Sequence, residues 1–295
     1  MTGKKVAVVT PTHNSALHVL QFLKSLKEQT YKNLLVIIVD DGSTDNTSRL
    51  ITERFPETIL LKGDGNLWWA GCTNKGVEYA LKDNVDYIFT VNVDVELDGR
   101  CIENLVNFAK KNPQTLVGSI VCSIKDKKRV WYYGGYWDRR KGDLKHASGY
   151  LSEVGNKVQT PEWLTGMGVL IPSAAFDKVG KYDGQNFPQY FADADFSLRA
   201  ASAGFTLAVL PKALVYADLS SSWLEKWLQR PSPVFFWNLF ISRRSQYSVK
   251  KRYTFYKKYW GKGYVKALLK LYFVGLFPLY RLWAALFTKR ILGRI

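Results

Sequence analysis

Four short apolar runs limit what this chain can fold into, because each ends in polar or turn-forming residues and is followed by a helix-patterned stretch. Val6–Thr10 breaks at Pro11-Thr12-His13-Asn14, and Leu17, Leu20, Leu23 and Leu26 then recur three apart. Leu34–Val39 ends at Asp40-Asp41-Gly42-Ser43-Thr44-Asp45, where Gly42 permits a tight turn and the Ser/Thr/Asp cluster can cap a helix from near Asn46. Thr58–Leu61 is a weaker run, leading into a loop at Gly63–Gly71 and a helix through Leu81. Tyr87–Val91 is the fourth. Consecutive β-then-α units predict an α/β fold with a mostly parallel sheet and helices on both faces. Such sheets bind ligands outside the carboxyl ends of their strands.

At the end of the fourth strand stands Asn92-Val93-Asp94. Period-two geometry puts Asn92 and Asp94 on one face. A carboxylate beside an amide oxygen suits a hard cation completed by diphosphate oxygens and water, and a polar strand end entering a turn is the plainer alternative. The turn after the first strand has no glycine, which argues against a dinucleotide-binding dehydrogenase. Cys72, Cys101 and Cys122 show no Cys-x-x-Cys spacing and point to a reducing compartment without disulfides or zinc. A strand begins almost at once after Met1, with no signal-peptide pattern, so the cytosol is the expected location. No Ser-His-Asp or Cys-His arrangement is evident, and His13, His18 and His146 have no metal-ligand spacing.

Together these loops resemble those of the family 2 glycosyltransferases, nucleotide-sugar enzymes of the GT-A fold, over roughly Lys5 to Ser222. The resemblance implies that Pro11, Thr12 and Asn14 cradle the base and that Asp41 binds a pyrimidine. A carboxylate can accept the imide N–H of uracil or thymine, which cytosine lacks. Asn92-Val93-Asp94 is similar to the family's Asp-x-Asp metal motif with Asn in first place, implying that Asp94 holds Mg²⁺ or Mn²⁺ and that Asn92 lies nearer the ribose or diphosphate. In the glycine-bearing loop between them, Asn66 is a candidate donor contact, and Lys75, taken to lie on the first turn of the next helix, a candidate phosphate contact. Trp68 and Trp69 are equally readable as core.

Trp163-Leu164-Thr165-Gly166-Met167-Gly168 resembles the family's acceptor-side segment. Trp163 is a sensible platform for a sugar face, with a buried core Trp as the equal competitor. Tyr190–Ala200 resembles the segment Glu-Asp-x-Asp-Leu-x-x-Arg, with Ala192 in the Glu position, and the catalytic base then falls on Asp193. Asp195 projects away from it and braces the fold. Many relatives carry a metal-binding His after the strand at Pro211–Tyr216. Ala217-Asp218 stands there instead, leaving Asp218 either a replacement ligand or a turn residue.

Residues Trp223–Ile295 carry 16 Lys and Arg against the single acid Glu225, so nearly all of the chain's net +17 lies there. The expected division is therefore a GT-A domain over 1–222 and a basic, aromatic helical extension over 223–295. Basic residues interleaved with Phe, Tyr and Trp suit a lipid headgroup layer. Only ten uncharged residues, Leu271–Tyr280, separate Lys270 from Arg281, well short of the ~20 needed to span a bilayer. An in-plane amphipathic helix pair on the inner face of the cell membrane is expected. RNA is the competing partner for such a tail, and nucleic acid is the less fitting of the two. The resemblance implies inverting, metal-dependent transfer from a UDP- or dTDP-sugar to a glycan or lipid-linked acceptor. The alternative is a degenerate member that binds sugar nucleotides as a scaffold or sensor.

Overall fold

The computed structural model describes residues 3–138, 143–219, 233–242, 245–270, 272–273, 280–281 and 284–288. The opening alternation forms β1 (Val6–Thr12), α1 (Ala16–Lys27), β2 (Leu34–Asp40), α2 (Thr47–Arg54), β3 (Ile59–Lys62), α3 (Trp68–Lys82) and β4 (Tyr87–Thr90). β1 pairs parallel with β2 and β4, and β2 parallel with β3. The carboxyl ends of β1, β2 and β4 therefore lie along one edge of the sheet. Val6–Val9 and Ile88–Phe89 are fully buried, as strands covered on both faces require. Each Val, Ile or Phe among them contributes about 1.5–3 kcal/mol of burial free energy.

α1 differs from its leucine spacing. Its buried apolar face is Val19, Phe22, Leu23 and Leu26, while Leu17 is exposed. Residues three apart drift about 60° per step around a helix of 3.6 residues per turn, so a run of threes cannot stay on one face.

The chain continues through β5 (Val95–Leu97), α4 (Cys101–Lys111), β6 (Thr115–Ser123), β7 (Arg129–Tyr132), a hairpin of β8 (Gly135–Asp138) and β9 (Asp143–His146), β10 (Gly149–Tyr150) and α5 (Leu151–Val154). There follow β11 (Val169–Pro172), α6 (Ser173–Val179), α7 (Ala192–Ser202) and β12 (Thr206–Ala217). The main sheet runs β10-β7-β6-β11-β4-β1-β2-β3, with β12 paired to β6 and β5. β11 is antiparallel to β4 and β6, and β12 is parallel to β6 but antiparallel to β5. This is the mixed, mostly parallel sheet of a GT-A fold.

Two compact units emerge, one of Met1–Tyr136 with His146–Asp218, the other of Trp137–Lys145 with Leu219–Ile295. Composition alone puts the whole hairpin in the first part and draws the boundary after Ser222. In the structure the hairpin tip groups with the basic C-terminal part. Within that second unit, Trp137 stacks on Phe255 with centroids 5.4 Å apart and planes 9° apart, and also meets Tyr256 and Trp260. Arg252 is buried and donates to Asp143 Oδ1 at 3.1 Å and, through Nε, to the Gln246 carbonyl at 2.9 Å. A guanidinium suits such a buried, multiply bonded position.

The helix Val249–Tyr259 turns Lys251, Arg252, Phe255 and Tyr256 inward and leaves Val249, Lys250, Tyr253, Lys257 and Lys258 exposed. A 3₁₀ turn at Gly261–Gly263 separates it from the helix Tyr264–Lys270. Of the stretch Leu271–Tyr280, all but Tyr272, Phe273 and Tyr280 lies outside the described residues, as do Ser220–Ser222. Among the described residues no helix is long and apolar enough to cross a membrane.

Candidate active site

The loops after β1 and β2 hold each other. Asn14 takes a positive φ of 48° and its Oδ1 accepts the Thr44 N–H at 2.8 Å and the Asp45 N–H at 3.3 Å. The Asn14 N–H in turn donates to Ser43 Oγ at 2.8 Å. A carbonyl can only accept, so the 2.8 Å contact between His13 Nδ1 and the Asp41 carbonyl puts the imidazole proton on Nδ1. His13 Nε2 then accepts from the Asn14 amide at 3.2 Å. Asn14, expected at the base, thus shapes the loop around it. Pro11 lies within β1 opposite Val39, and the Thr12 hydroxyl, at the strand's end, is buried with no hydrogen-bond partner among the described residues.

Asp40 is buried beneath this loop. Burial pushes its carboxyl up, but hydrogen bonds from Ser43 and Ser48, with Lys62 at 3.6 Å, outweigh burial and hold it below the usual carboxylate range. Gly42 turns the chain with φ +71°, where a side chain would be strained. Asp41 organises the next loop: its Oδ1 accepts the N–H of Gly65 at 2.9 Å and of Leu67 at 3.3 Å, and its Oδ2 that of Trp68 at 2.9 Å. A carboxylate offers about four acceptor directions, so one on Oδ2 remains for a base's imide. Trp68 sits at φ +59°, a costly conformation for a bulky residue, under the hold of Asp41.

Asn66 is exposed on the same loop. Lys75 lies not in the first turn of α3 but two turns in, with its ammonium on the Lys62 carbonyl. The helix starts at Trp68, inside the stretch Gly63–Gly71 expected to be loop, so Lys75 falls beyond its first turn and its ammonium rests on the carbonyl just before Gly63.

A chain of contacts links the β4 end to α7. Trp69 Nε1–H donates to Asn92 Oδ1 at 2.9 Å, and the indole meets Tyr182 edge-on at 5.2 Å. Gly166 passes so close to that ring that a Cβ there would come within 2.4 Å of Trp69 Cζ2. The Gly166 N–H donates to Asp193 Oδ2 at 3.0 Å, and the Ala194 N–H to Oδ1 at 2.9 Å. Burial pushes the Asp193 carboxyl above the ordinary carboxylate range, and these two N–H groups offset it only in part. Just before it, Phe191 is left-handed at φ +72°. A non-glycine in this region stores strain, which is found disproportionately at active sites.

Gly168 anchors the segment to the sheet through the Thr90 carbonyl and the Ser119 N–H, and Met167 is half-buried between the two glycines. Trp163 is core rather than platform. It is 8% exposed, with its ring against Gly135, where a Cβ would fall 2.2 Å from Cε2, and with Tyr132 beside it. Asp195 is fully buried and pairs with Arg199 Nε at 2.8 Å, while that guanidinium also bonds the carbonyls of Val179 and Lys181.

Asp94 and Asp218 line one cleft of about 340 Å³ together with His18, Gln21 and Glu96. The Asp218 N–H donates to the Asp94 carbonyl at 3.2 Å. Burial raises the Asp94 carboxyl; the charge of Asp218 adds to the shift and His18 opposes it. Among the described residues, Asp94 Oδ1 is buried without a hydrogen-bond partner. Among the described residues no group of three or more His, Cys, Asp or Glu is arranged to hold a metal ion. An orphaned carboxylate oxygen beside a second carboxylate fits a hard divalent cation that draws its other oxygens from a ligand. Sequence reasoning missed the roles of Trp69 and His18. Trp69's place inside the glycine-bearing stretch Gly63–Gly71 is a signal, and His18 gives none.

Residues 7–176 match the family description "Glycosyl transferase family 2". An N-acetylglucosaminyl-diphospho-decaprenol L-rhamnosyltransferase of Mycobacterium tuberculosis (strain CDC 1551 / Oshkosh) is 26% identical over 233 residues, covering 70% of this chain and 74% of that protein. The glycosyltransferase GlyG of Streptococcus pneumoniae serotype 4 (strain ATCC BAA-334 / TIGR4) is 38% identical over 132 residues, covering 43% of each chain. A poly(ribitol-phosphate) beta-N-acetylglucosaminyltransferase, TarP, of Staphylococcus aureus (strain N315) is 30% identical over 121 residues, covering 39% of this chain and 36% of that protein. Among solved structures, GalNAc-T7 crystallised with UDP, GalNAc and Mn²⁺ superposes with a TM-score of 0.61 at 14% identity, covering 74% of this chain and 44% of that one, a likeness of fold. With the family pattern spanning more than half the chain and the GT-A sheet beneath it, this protein belongs to glycosyl transferase family 2.

Proposed function

We propose that this chain transfers a sugar from a UDP- or dTDP-sugar to a hydroxyl of a lipid-linked cell-surface glycan, with inversion at the anomeric carbon. The observation that carries the reading is Asp193, a carboxylate of raised pKa aimed by two backbone N–H groups and joined through Gly166 and Trp69 to Asn92. Asp193 takes the proton of the acceptor hydroxyl as its oxygen attacks the anomeric carbon. The bond from that carbon to the diphosphate oxygen breaks, and the nucleoside diphosphate leaves as an anion that needs no general acid. Mg²⁺ or Mn²⁺, held by Asp94 and Asp218, would neutralise the charge of that leaving group. Asp41 orients the base, and the loops carrying Pro11, Thr12, Asn14 and Asn66 enclose the nucleotide.

The lipid-linked acceptor is supported by the decaprenol-linked substrate in the name of the mycobacterial relative. Thermal unfolding across a panel of UDP- and dTDP-sugars tests the donor. One or more should raise the midpoint in the presence of Mn²⁺, as any ligand selective for the native state does. No stabilisation by any member of the panel would contradict the reading.

The second unit is suited to an anionic bilayer. Each Lys or Arg near such a surface contributes about 1 kcal/mol within a Debye length. Exposed Val249, Tyr253, Val265 and Leu269 lie among Lys250, Lys257, Lys266 and Lys270. Removing residues Tyr264–Ile295 should abolish salt-sensitive flotation with anionic liposomes while leaving hydrolysis of the donor by water. Equal flotation of the shortened chain, or release of the full chain by detergent alone, would count against surface docking.

A further inference from the structure

A second cleft, of about 480 Å³, adjoins the first and shares Gln21 and Glu96 with it. Its lining includes Lys24, Glu28, Asp98 and Tyr216. The sequence explains why the two form one trough. On α1 and its C-cap Glu28, the residues His18, Gln21, Ser25 and Glu28 recur at spacings of three and four and make a single polar stripe. Facing it, Val93-Asp94-Val95-Glu96-Leu97-Asp98 alternates, with all three apolar residues buried, so Asp94, Glu96 and Asp98 share the other face. Four residues of extended chain make the trough about 13 Å long between Asp94 and Asp98. Tyr216 is the cross-strand partner of Glu96 and borders the trough, with the Lys127 ammonium 4.5 Å from its ring centroid.

We infer that this trough binds uncharged sugar residues of a glycan, extending the active site away from Asp94 along α1 and β5. The assignment rests on the transferase reading only for its link to a glycan acceptor. Its chemistry stands alone. Glu28, Glu96 and Asp98 outnumber Lys24 and Lys127 on its walls, although the chain as a whole carries +17. A diphosphate or an anionic lipid headgroup is repelled there. Hydroxyl groups, which both donate and accept, can satisfy carboxylates, an amide and ammonium groups together. Among the described residues, no side-chain hydrogen bond or ion pair engages Gln21, Lys24, Glu28 or Glu96, so these groups are available to a ligand. Burial and the charge of Asp98 raise the Tyr216 phenol, keeping it a hydroxyl donor.

The test is calorimetric titration of the full-length chain with chitotriose, maltotriose and a rhamnose trisaccharide, with inorganic pyrophosphate as competitor. At least one trisaccharide should bind, and pyrophosphate should not displace it. Glu96→Gln, and separately the exposed pair Lys24→Ala with Glu28→Ala, should each weaken binding about tenfold, the loss of one hydrogen bond to a charged group. Binding to none of the three, undiminished binding in both variants, or displacement by pyrophosphate would overturn the assignment. Donor-induced thermal stabilisation is read on the same samples and should be the same in the Lys24→Ala, Glu28→Ala variant, whose two side chains line only the second cleft, as in the wild type. Its absence in the wild type, alongside trisaccharide binding that the variants weaken, would sink the transferase reading and leave the trough. Saccharides belonging to the acceptor give a trisaccharide acceptor a lower KM than its monosaccharide; a separately bound glycan leaves the two equal.

Discussion

Asp193→Asn lowers the transfer rate by about 10²–10⁴-fold, the range over which a positioned base accelerates proton transfer. The substitution keeps the side chain's size and removes its basicity. Nucleotide binding should be unchanged, because Asp41 and Asp94 stand on other loops. The pH profile gives a second readout. The active form is the carboxylate, and burial raises its pKa above the ordinary 3.8, so the acid limb of kcat/KM should lie above that value and vanish in the variant. The same shift fixes the sign for stability: the contribution of this group is full below its unfolded pKa and is lost as pH rises through its elevated folded value. Near-normal turnover by Asp193→Asn would move the base elsewhere. Asp195 is poorly placed to take over, since Arg199 already holds it in the interior.

Asp94→Ala abolishes the metal-dependent part of UDP or dTDP binding. Its Oδ1 is buried without a hydrogen-bond partner among the described residues, so the alanine removes a proposed cation ligand and no hydrogen bond seen at that oxygen. Burial disfavours its charge, and removing it should leave the fold intact. Calorimetric titration with each nucleoside diphosphate, with and without Mn²⁺, measures this. The wild type should bind more tightly with the ion, and the variant should show the same affinity in both conditions. A metal-dependent affinity that persists in Asp94→Ala would remove Asp94 from the cation site.

The strand ends were legible because residue type and period carry their information locally. Val6–Val9, Asp40-Asp41-Gly42 and Asn92-Val93-Asp94 each announce a buried strand and its exit. What escaped the sequence depends on distant partners. Nothing near Trp163 says that Gly135 leaves room for its ring, so platform and core looked alike. Nothing near Trp69 says that its indole will meet Asn92, or that Gly166 will pass beneath it. Lys75 falls outside the first helical turn because the helix begins at Trp68, after Gly63 and Gly65 but before Gly71. From sequence, the polar stretch Asp138–Lys157 with its scattered glycines reads as a hairpin or flap. Among the described residues, Trp137 and Asp143 contact the helix Val249–Tyr259 within the unit that holds the C-terminal part.

The most direct measurement follows the anomeric proton by NMR while the full-length protein turns over its stabilising nucleotide sugar with Mn²⁺ and a short soluble acceptor. The account predicts a new glycosidic signal of configuration opposite to the donor's, appearing in step with free nucleoside diphosphate and nearly absent with Asp193→Asn. A donor signal that persists unchanged, or a product that keeps the donor's configuration, would contradict it.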